Sequence, residues 1–239
     1  FHNAARTMRD RGYTYDYISD RQIGTLAVSG RGIETAGETC RAILVPGCRF
    51  MPAATMEKLE KLARGGASVL FLGAPPEDVP GLGNLDRERA RFSLASKSLF
   101  RAGTVRNGVT VSTVGKGRAM VGNDLETLLA AAGVRREFAA DQGLSFIRRV
   151  DGGDYIYFLS NLGVRAYEGW IALGVPAVSA SLVNPLTGES GRAALRKLSD
   201  GASEVYLQIA PGESVILPAR NAASPDGPDW AYRKQSGDP

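Results

Sequence analysis

The stretch that most constrains this chain runs from Arg41 to Gly73. It reads Arg41-Ala-Ile-Leu-Val-Pro-Gly-Cys48, then a mixed polar and apolar segment over residues 52–64, then Ala67-Ser-Val-Leu-Phe-Leu-Gly73. The two outer runs are short, branched or aromatic, and lead into glycine, the pattern of parallel strands buried on both faces. Between them Met56, Leu59, Leu62 and Ala63 fall on one arc of a 3.6-residue period and predict a helix facing a sheet. Glu57 with Lys61 and Glu60 with Arg64 stand four apart in the favourable order, so the opposite arc is expected to be a solvated, self-paired face. Pro52 suits the first helical turn, and Gly65-Gly66 ends the helix. Strand, helix and strand make a unit whose crossover is right-handed in nearly all cases. That points to a fold class and leaves the chemistry open, because such folds host many functions.

A length of 239 residues leaves room for one large domain or two small ones. The net charge of +4 is spread out, and in the densest basic stretch, from Arg87 to Arg106, Glu88 interrupts. A nucleic-acid surface would concentrate its cations in a stripe with interleaved aromatics, so no nucleic-acid partner is expected. Apolar runs stay well short of the roughly 18 residues of a membrane span, and no signal peptide is recognisable, which leaves localisation open. Cys40 and Cys48 flank one extended strand, too far apart to bridge, and read as free thiols. Phe1 stands in helix-compatible sequence, so the chain is expected to be cut from something longer.

Along the chain, residues 3–11 suit a helix stopped by Gly12, and residues 13–19, with three alternating tyrosines, predict a first strand. Asp20 is a plausible cap for a helix over residues 21–28. Residues 29–38 are glycine-rich and predict a loop or small hairpin, and the prolines of residues 74–83 exclude regular structure. Asn84 should cap a helix to about residue 101, strands are expected at 109–113 and 118–121, and Asn123 with Glu126 forms a variant capping box for a helix over 124–132. Thereafter the period changes. Residues 144–150, 155–160, 167–173, 178–183, 204–209 and 214–217 read as short strands, the first two joined by a four-residue loop, Asp151-Gly-Gly-Asp154. The expected architecture is an α/β flavodoxin-like (amidotransferase-like) parallel sheet domain over residues 1–133, then a small antiparallel β-sandwich over 134–219 and a linker or tail over 220–239.

Cys48 lies just past a strand end, where doubly wound sheets place their sites. A thiol nucleophile needs a base, and the one histidine, His2, sits near the terminus, so a structural or idle thiol is the reading. Two cysteines and one histidine, without CxxC or HExxH, match no usual zinc signature. Asp16, Asp20 and Glu38 are close enough in sequence to meet, yet their spacing forces no carboxylate pair. Gly30-Arg-Gly32 and Gly81-Leu-Gly83 lack the third glycine of a dinucleotide loop, and GxxxxGK[ST] does not occur. Tyr13, Tyr15, Tyr17, Tyr155, Tyr157 and Trp170 suit a carbohydrate surface or, more simply, cross-strand packing. No catalytic and no metal-ligating residue is assigned.

Four stretches, in order, resemble the region after the catalytic barrel in glycoside hydrolase family 106, the α-L-rhamnosidases. They are Gly12-Tyr-Thr-Tyr-Asp-Tyr-Ile-Ser-Asp20; Arg41-Ala-Ile-Leu-Val-Pro46 with Arg49-Phe-Met-Pro52 and the Gly65-Gly-Ala-Ser-Val69 region; Phe146-Ile-Arg-Arg149 with Asp154-Tyr-Ile-Tyr-Phe-Leu-Ser-Asn161; and Asn184-Pro-Leu-Thr-Gly188. Arg148 stands where many relatives have histidine, and Asn184 where they have aspartate. The resemblance implies a parent enzyme that removes terminal α-L-rhamnosyl residues with inversion, using two glutamates of the barrel that match nothing in this chain. It implies calcium in that parent and no cofactor in this part. It also implies the barrel and a flanking β-sandwich as partners, and a carbohydrate substrate reached through them. If this part borders the substrate, the loops after the parallel strands are the place, with Asp20, Cys48 and Arg49 as the rim residues. The alternative is an oligomerisation module similar to the trimerisation domain of β-galactosidases.

Overall fold

The computed structural model describes every residue except 1, 31, 36, 38, 200, 224–226 and 234–239. The chain divides into two units, one made of residues 1–5 and 16–134, the other of residues 6–15 and 135–239. Helix α1 (His2–Asp10) therefore contributes to both. Residues 13–19 join no strand ladder, against the sequence expectation. Backbone groups at their start are used elsewhere: Tyr13 N donates to Met8 O (2.8 Å), and Gly12 O accepts from Glu137 N (2.8 Å).

In the first unit, α2 (Asp20–Thr25) is capped by Ser19 rather than Asp20. The Ser19 hydroxyl accepts from Gln22 N, and the Gln22 side chain accepts from Ser19 N, a full capping box. Strands β1 (Ala27–Ser29), β2 (Gly32–Glu34) and β3 (Thr39–Cys40) then form a small antiparallel sheet. Next come β4 (Ala42–Val45), α3 (Ala53–Gly65) and β5 (Ser68–Leu72), with β4 parallel to β5 and Ile43 opposite Val69. Met56, Leu59, Leu62 and Ala63 are all buried, and each of the larger side chains contributes roughly 1.5–3 kcal/mol by leaving water.

The other arc of α3 is not a self-paired solvent face. Helix α4 (Leu85–Leu99) lies against it, and Glu57 accepts from Arg91 Nε (2.8 Å) instead of meeting Lys61. Glu60 pairs with Arg64 as expected, and also accepts from Ser98 Oγ of α4 (2.7 Å). Strands β6 (Thr104–Arg106), β7 (Val109–Val114) and β8 (Gly117–Gly122) follow, then α5 (Leu125–Ala131). Asp124, not Asn123, caps α5 by accepting from Thr127 N (2.8 Å).

The flavodoxin-like parallel-sheet domain is thereby overturned. The five-stranded sheet runs β4-β5-β8-β7-β6, and only the β4–β5 and β5–β8 pairs are parallel; β8–β7 and β7–β6 are antiparallel. After α4 the chain does not add a strand directly beside β5; it enters at the far edge of the sheet as β6. It makes two tight hairpins, the first around Asn107-Gly108, both with positive φ, and such turns force antiparallel pairing. Among the described residues the chain is mostly β, in four small sheets, with five short helices.

The second unit opens with a 3₁₀ turn, Phe138–Gln142, followed by β9 (Leu144–Asp151), β10 (Asp154–Asn161), β11 (Tyr167–Leu173), β12 (Ser179–Val183), β13 (Ser190–Arg192), β14 (Leu195–Lys197), β15 (Ser203–Ile209) and β16 (Ser214–Arg220). They form antiparallel sheets ordered β13-β12-β16-β10-β9 and β11-β15-β14. One apolar cluster draws on both, including Tyr157, Leu159 and Leu217 from the first, Val205 and Leu207 from the second. Asp151 pairs with Asp154, so the β9–β10 turn is the two residues Gly152-Gly153. Part of the stretch that composition marks as tail is seated on this unit. Asp229 bridges to Arg192, and Tyr232 stacks edge-on against Tyr206 at 5.2 Å.

Candidate functional site

Parallel strands β4 and β5 deliver two loops, residues 46–52 and 73–80, to the same end of their sheet. Backbone hydrogen bonds lace the loops together: Glu77 N donates to Arg49 O (2.9 Å), and Met51 N to Asp78 O (3.0 Å). Asp20 enters from α2, where its Oδ1 accepts from Thr55 Oγ1 of α3 (2.8 Å). The residues singled out in the sequence divide here. Asp20 and Cys48 interact electrostatically, while Arg49 turns to Glu77 (3.3 Å) and lies over the Phe50 ring, 5.2 Å from its centroid. Both cysteines are free thiols. Partial burial, and then the Asp20 charge, push the Cys48 thiol above its ordinary range, which keeps it protonated and a poor nucleophile. Glu38 lies outside the described residues.

Beside these loops is a shallow groove of about 480 Å³ that sequence reading did not anticipate. Glu77 and Asp78 form one wall, Arg89, Ser93 and Lys97 of α4 another, and Phe92 contributes an apolar surface. Arg89 grips Asp78 with two nitrogens (Nε to Oδ1, 2.9 Å), and that hydrogen bonding holds the Asp78 carboxyl down at about 2. Spacing carries no signal for this pair, since Asp78 sits in a proline-rich loop and Arg89 eleven residues later on a helix. Among the described residues no three His, Cys, Asp or Glu side chains converge as they would around a metal ion.

The second unit holds a buried ionisable cluster, also missed in the sequence. Glu137, 2% exposed, accepts at Oε1 from Arg148 Nη1 and from the Tyr157 hydroxyl (3.0 Å), and at Oε2 from Gly174 N (2.8 Å). Arg148 also donates to Thr14 Oγ1 (3.2 Å), and Glu137 N to Gly12 O, so the group fastens residues 12–14 to the sheets. Two glycines make room for it. A Cβ on Gly12 (φ +81°) would stand 2.1 Å from Glu137 O, and one on Gly174 2.6 Å from its Oε1. Burial, reinforced by the Glu137 charge, pushes the Tyr157 hydroxyl far above the ordinary tyrosine range. Both carboxylate oxygens of Glu137 are occupied by donors. The cluster is a fastening, not an open acid.

The family model of the alpha-L-rhamnosidases of glycoside hydrolase family 106 matches residues 2–197. A rhamnosidase from Novosphingobium sp. PP1Y is similar in structure, with a TM-score of 0.76 and 28% identity, over 93% of this chain and 21% of that one. This chain thus spans about a fifth of that relative's length. Gan42B, a GH42 beta-galactosidase from G. stearothermophilus, gives a TM-score of 0.55 at 12% identity, over 91% of this chain and 35% of that one. A beta-galactosidase from Bacillus circulans sp. alkalophilus gives 0.51 at 10%, over 91% and 37%. The latter two are likenesses of fold alone. No curated protein matches the sequence.

Proposed function

Because this chain belongs to the α-L-rhamnosidase family, glycoside hydrolase family 106, we propose that it is a supporting, non-catalytic part of a larger enzyme that removes terminal α-L-rhamnosyl residues. Inverting hydrolysis needs a carboxylic acid that keeps its proton near neutral pH and, across the scissile bond, a carboxylate that activates water. The observation that carries the reading is the state of the carboxylates at the strand ends. Asp78, clamped by Arg89, is held at about 2, the opposite of what a proton donor requires. Asp20 is committed to Thr55 and Glu77 to Arg49. These side chains brace loops. The proton transfers then belong to the barrel that the family resemblance implies, with that barrel and a flanking β-sandwich as the partners of this part.

In this reading the rim formed by Asp20, Cys48 and Arg49 borders the sugar. Arg49 offers guanidinium donors to sugar hydroxyls, and the half-exposed Phe50 offers an apolar plate. The test is hydrolysis of an aryl α-L-rhamnoside by the 239-residue chain and by the full-length gene product. The isolated chain should give no turnover, and the full-length product should turn over with KM raised a few-fold by Arg49→Ala at nearly constant kcat. Turnover by the isolated chain, abolished by one carboxylate substitution within it, would end the supporting-role reading.

A further inference from the structure

An antiparallel sheet with one face on a core normally turns polar side chains to water on the other. The three-stranded sheet does so around a single tryptophan, with Glu168, Glu204, Tyr206 and Gln208 beside Trp170 on the face opposite Val205 and Leu207. The five-stranded sheet does not. Across its outer face Ile147 of β9 stands opposite Phe158 of β10, Phe158 opposite Ile216 of β16, and Ile216 opposite Val183 of β12. In the adjoining row Ile156 stands opposite Pro218. Ile147 is 63% exposed and Phe158 40%. On one side the patch is bordered by Ser145, Ser160 and Ser214, and on the other by Arg149, Asp151 and Arg220. An apolar centre within a polar margin has the layout of an interface core and its rim.

We propose that this face is the seat of another folded domain of the same, longer polypeptide, apolar where it meets Ile147 and Phe158 and charged where it meets Arg149 and Asp151. The proposal rests on the supporting-role reading above. Two observations select this occupant over a second copy. With strands about 4.8 Å apart and same-face residues about 7 Å apart, the patch covers on the order of 200 Å², whereas a stable dimer needs about 800 Å² from each partner. A domain tethered to the same chain needs far less, because the tether supplies its effective concentration. The rhamnosidase that matches 93% of this chain devotes only 21% of its own length to doing so, which leaves ample chain for such a domain.

Hydroxyl-radical footprinting of the 239-residue chain and of the full-length gene product tests this. Ile147 and Phe158 should be oxidised at least about fivefold more slowly in the full-length product, as side chains in an interface core are. Phe158→Lys should lower the melting temperature of the full-length product and leave that of the 239-residue chain nearly unchanged. Equal oxidation in the two lengths would overturn the proposal. So would a dimer of the 239-residue chain, seen by sedimentation and dissociated by Phe158→Lys, which would give the face to a second copy. Rhamnoside turnover by the 239-residue chain, measured on the same samples, separates failure of the supporting-role reading from failure of the docking surface.

Discussion

In the first unit, α3 and α4 are laced by Glu57, Glu60, Arg64 and Arg91, with side chains between 17% and 58% exposed. In the second, one carboxylate, Glu137, gathers Arg148, Tyr157 and Gly174 N with its side chain 3% exposed. The chemistry is the same, carboxylate to guanidinium. Water makes the difference. Exposed pairs lie in high dielectric, are screened by salt and contribute little. A buried pair contributes little net energy when intact, yet breaking it strands a charge without solvent. The first unit can therefore lose a member of its lacing cheaply, and the second cannot. The largest test of that contrast is Glu137→Ala, expected to cost about 3–5 kcal/mol in urea unfolding because Arg148 is left uncompensated. Glu137→Ala combined with Arg148→Met should recover much of the loss, a coupling that independent sites would not show. If the single variant costs no more than a surface substitution, the contrast fails.

The next effect appears at alkaline pH. The Tyr157 hydroxyl is held well above its ordinary value in the folded state, so the folded protein keeps a proton that the unfolded chain releases. The sign follows: stability is undiminished below about pH 10, the ordinary tyrosine value, and falls as pH rises beyond it. Tyr157→Phe should cost about 0.5–1.5 kcal/mol at neutral pH for the lost hydrogen bond, and should make the alkaline decline shallower. Identical slopes for the two proteins between about pH 10 and 12 would show that Tyr157 ionises freely.

What the sequence shows and what it hides divide along the same line of local against distant. Strand β5, helix α3 and strand β15 are legible because their periodicity is a property of consecutive residues. Strand β6 was not anticipated: Asn107-Gly108 carries a two-residue hairpin signal, but the strand before it is only three residues long and exposed at every residue. Taking the βαβ unit for a parallel domain follows from the same bias, because three parallel strands look alike whether the sheet continues in parallel or turns back. The three tyrosines of residues 13–17 mimic a strand, but Gly12 O and Tyr13 N already have other partners. Glu137 could not be found from its neighbours. It follows two arginines and reads as loop, and only the fold brings Arg148 and Tyr157 to it. Arg148 did stand out as a departure from the family pattern, and its inward turn toward Glu137 gives that departure a structural use.

A smaller effect belongs to the exposed side of the comparison. Hydrogen bonding to Arg89 holds Asp78 at about 2 against an ordinary value near 4. A lowered carboxyl adds stability above about pH 4 and loses it as pH falls toward 2. Asp78→Asn should therefore flatten the acid limb of melting temperature against pH in that window. Because the pair faces solvent, the difference should shrink in roughly 1 M salt, where the screening length is about 3 Å. Persistence of the full difference at high salt would place Asp78 with Glu137 as a buried charge and weaken the contrast.

The smallest effect concerns a rate rather than a stability. Cys48 is exposed, yet burial of its surroundings and the charge of Asp20 raise its thiol above the ordinary range. Reaction with a disulfide reagent needs the thiolate, so at mildly alkaline pH Cys48 should react more slowly than a small free thiol of ordinary acidity. Asp20→Asn keeps a side-chain oxygen for Thr55 Oγ1 and removes only the charge, so the fold should hold while the rate rises about two- to fivefold, part of the gain being offset by lower nucleophilicity. The rise should fade as salt is added, since the influence of Asp20 passes partly through water. A rate that ignores both the substitution and the salt would mean that burial alone governs the thiol. The strand-end loops of the first unit would then be electrostatically more like the interior around Glu137 than like the solvated lacing of α3 and α4.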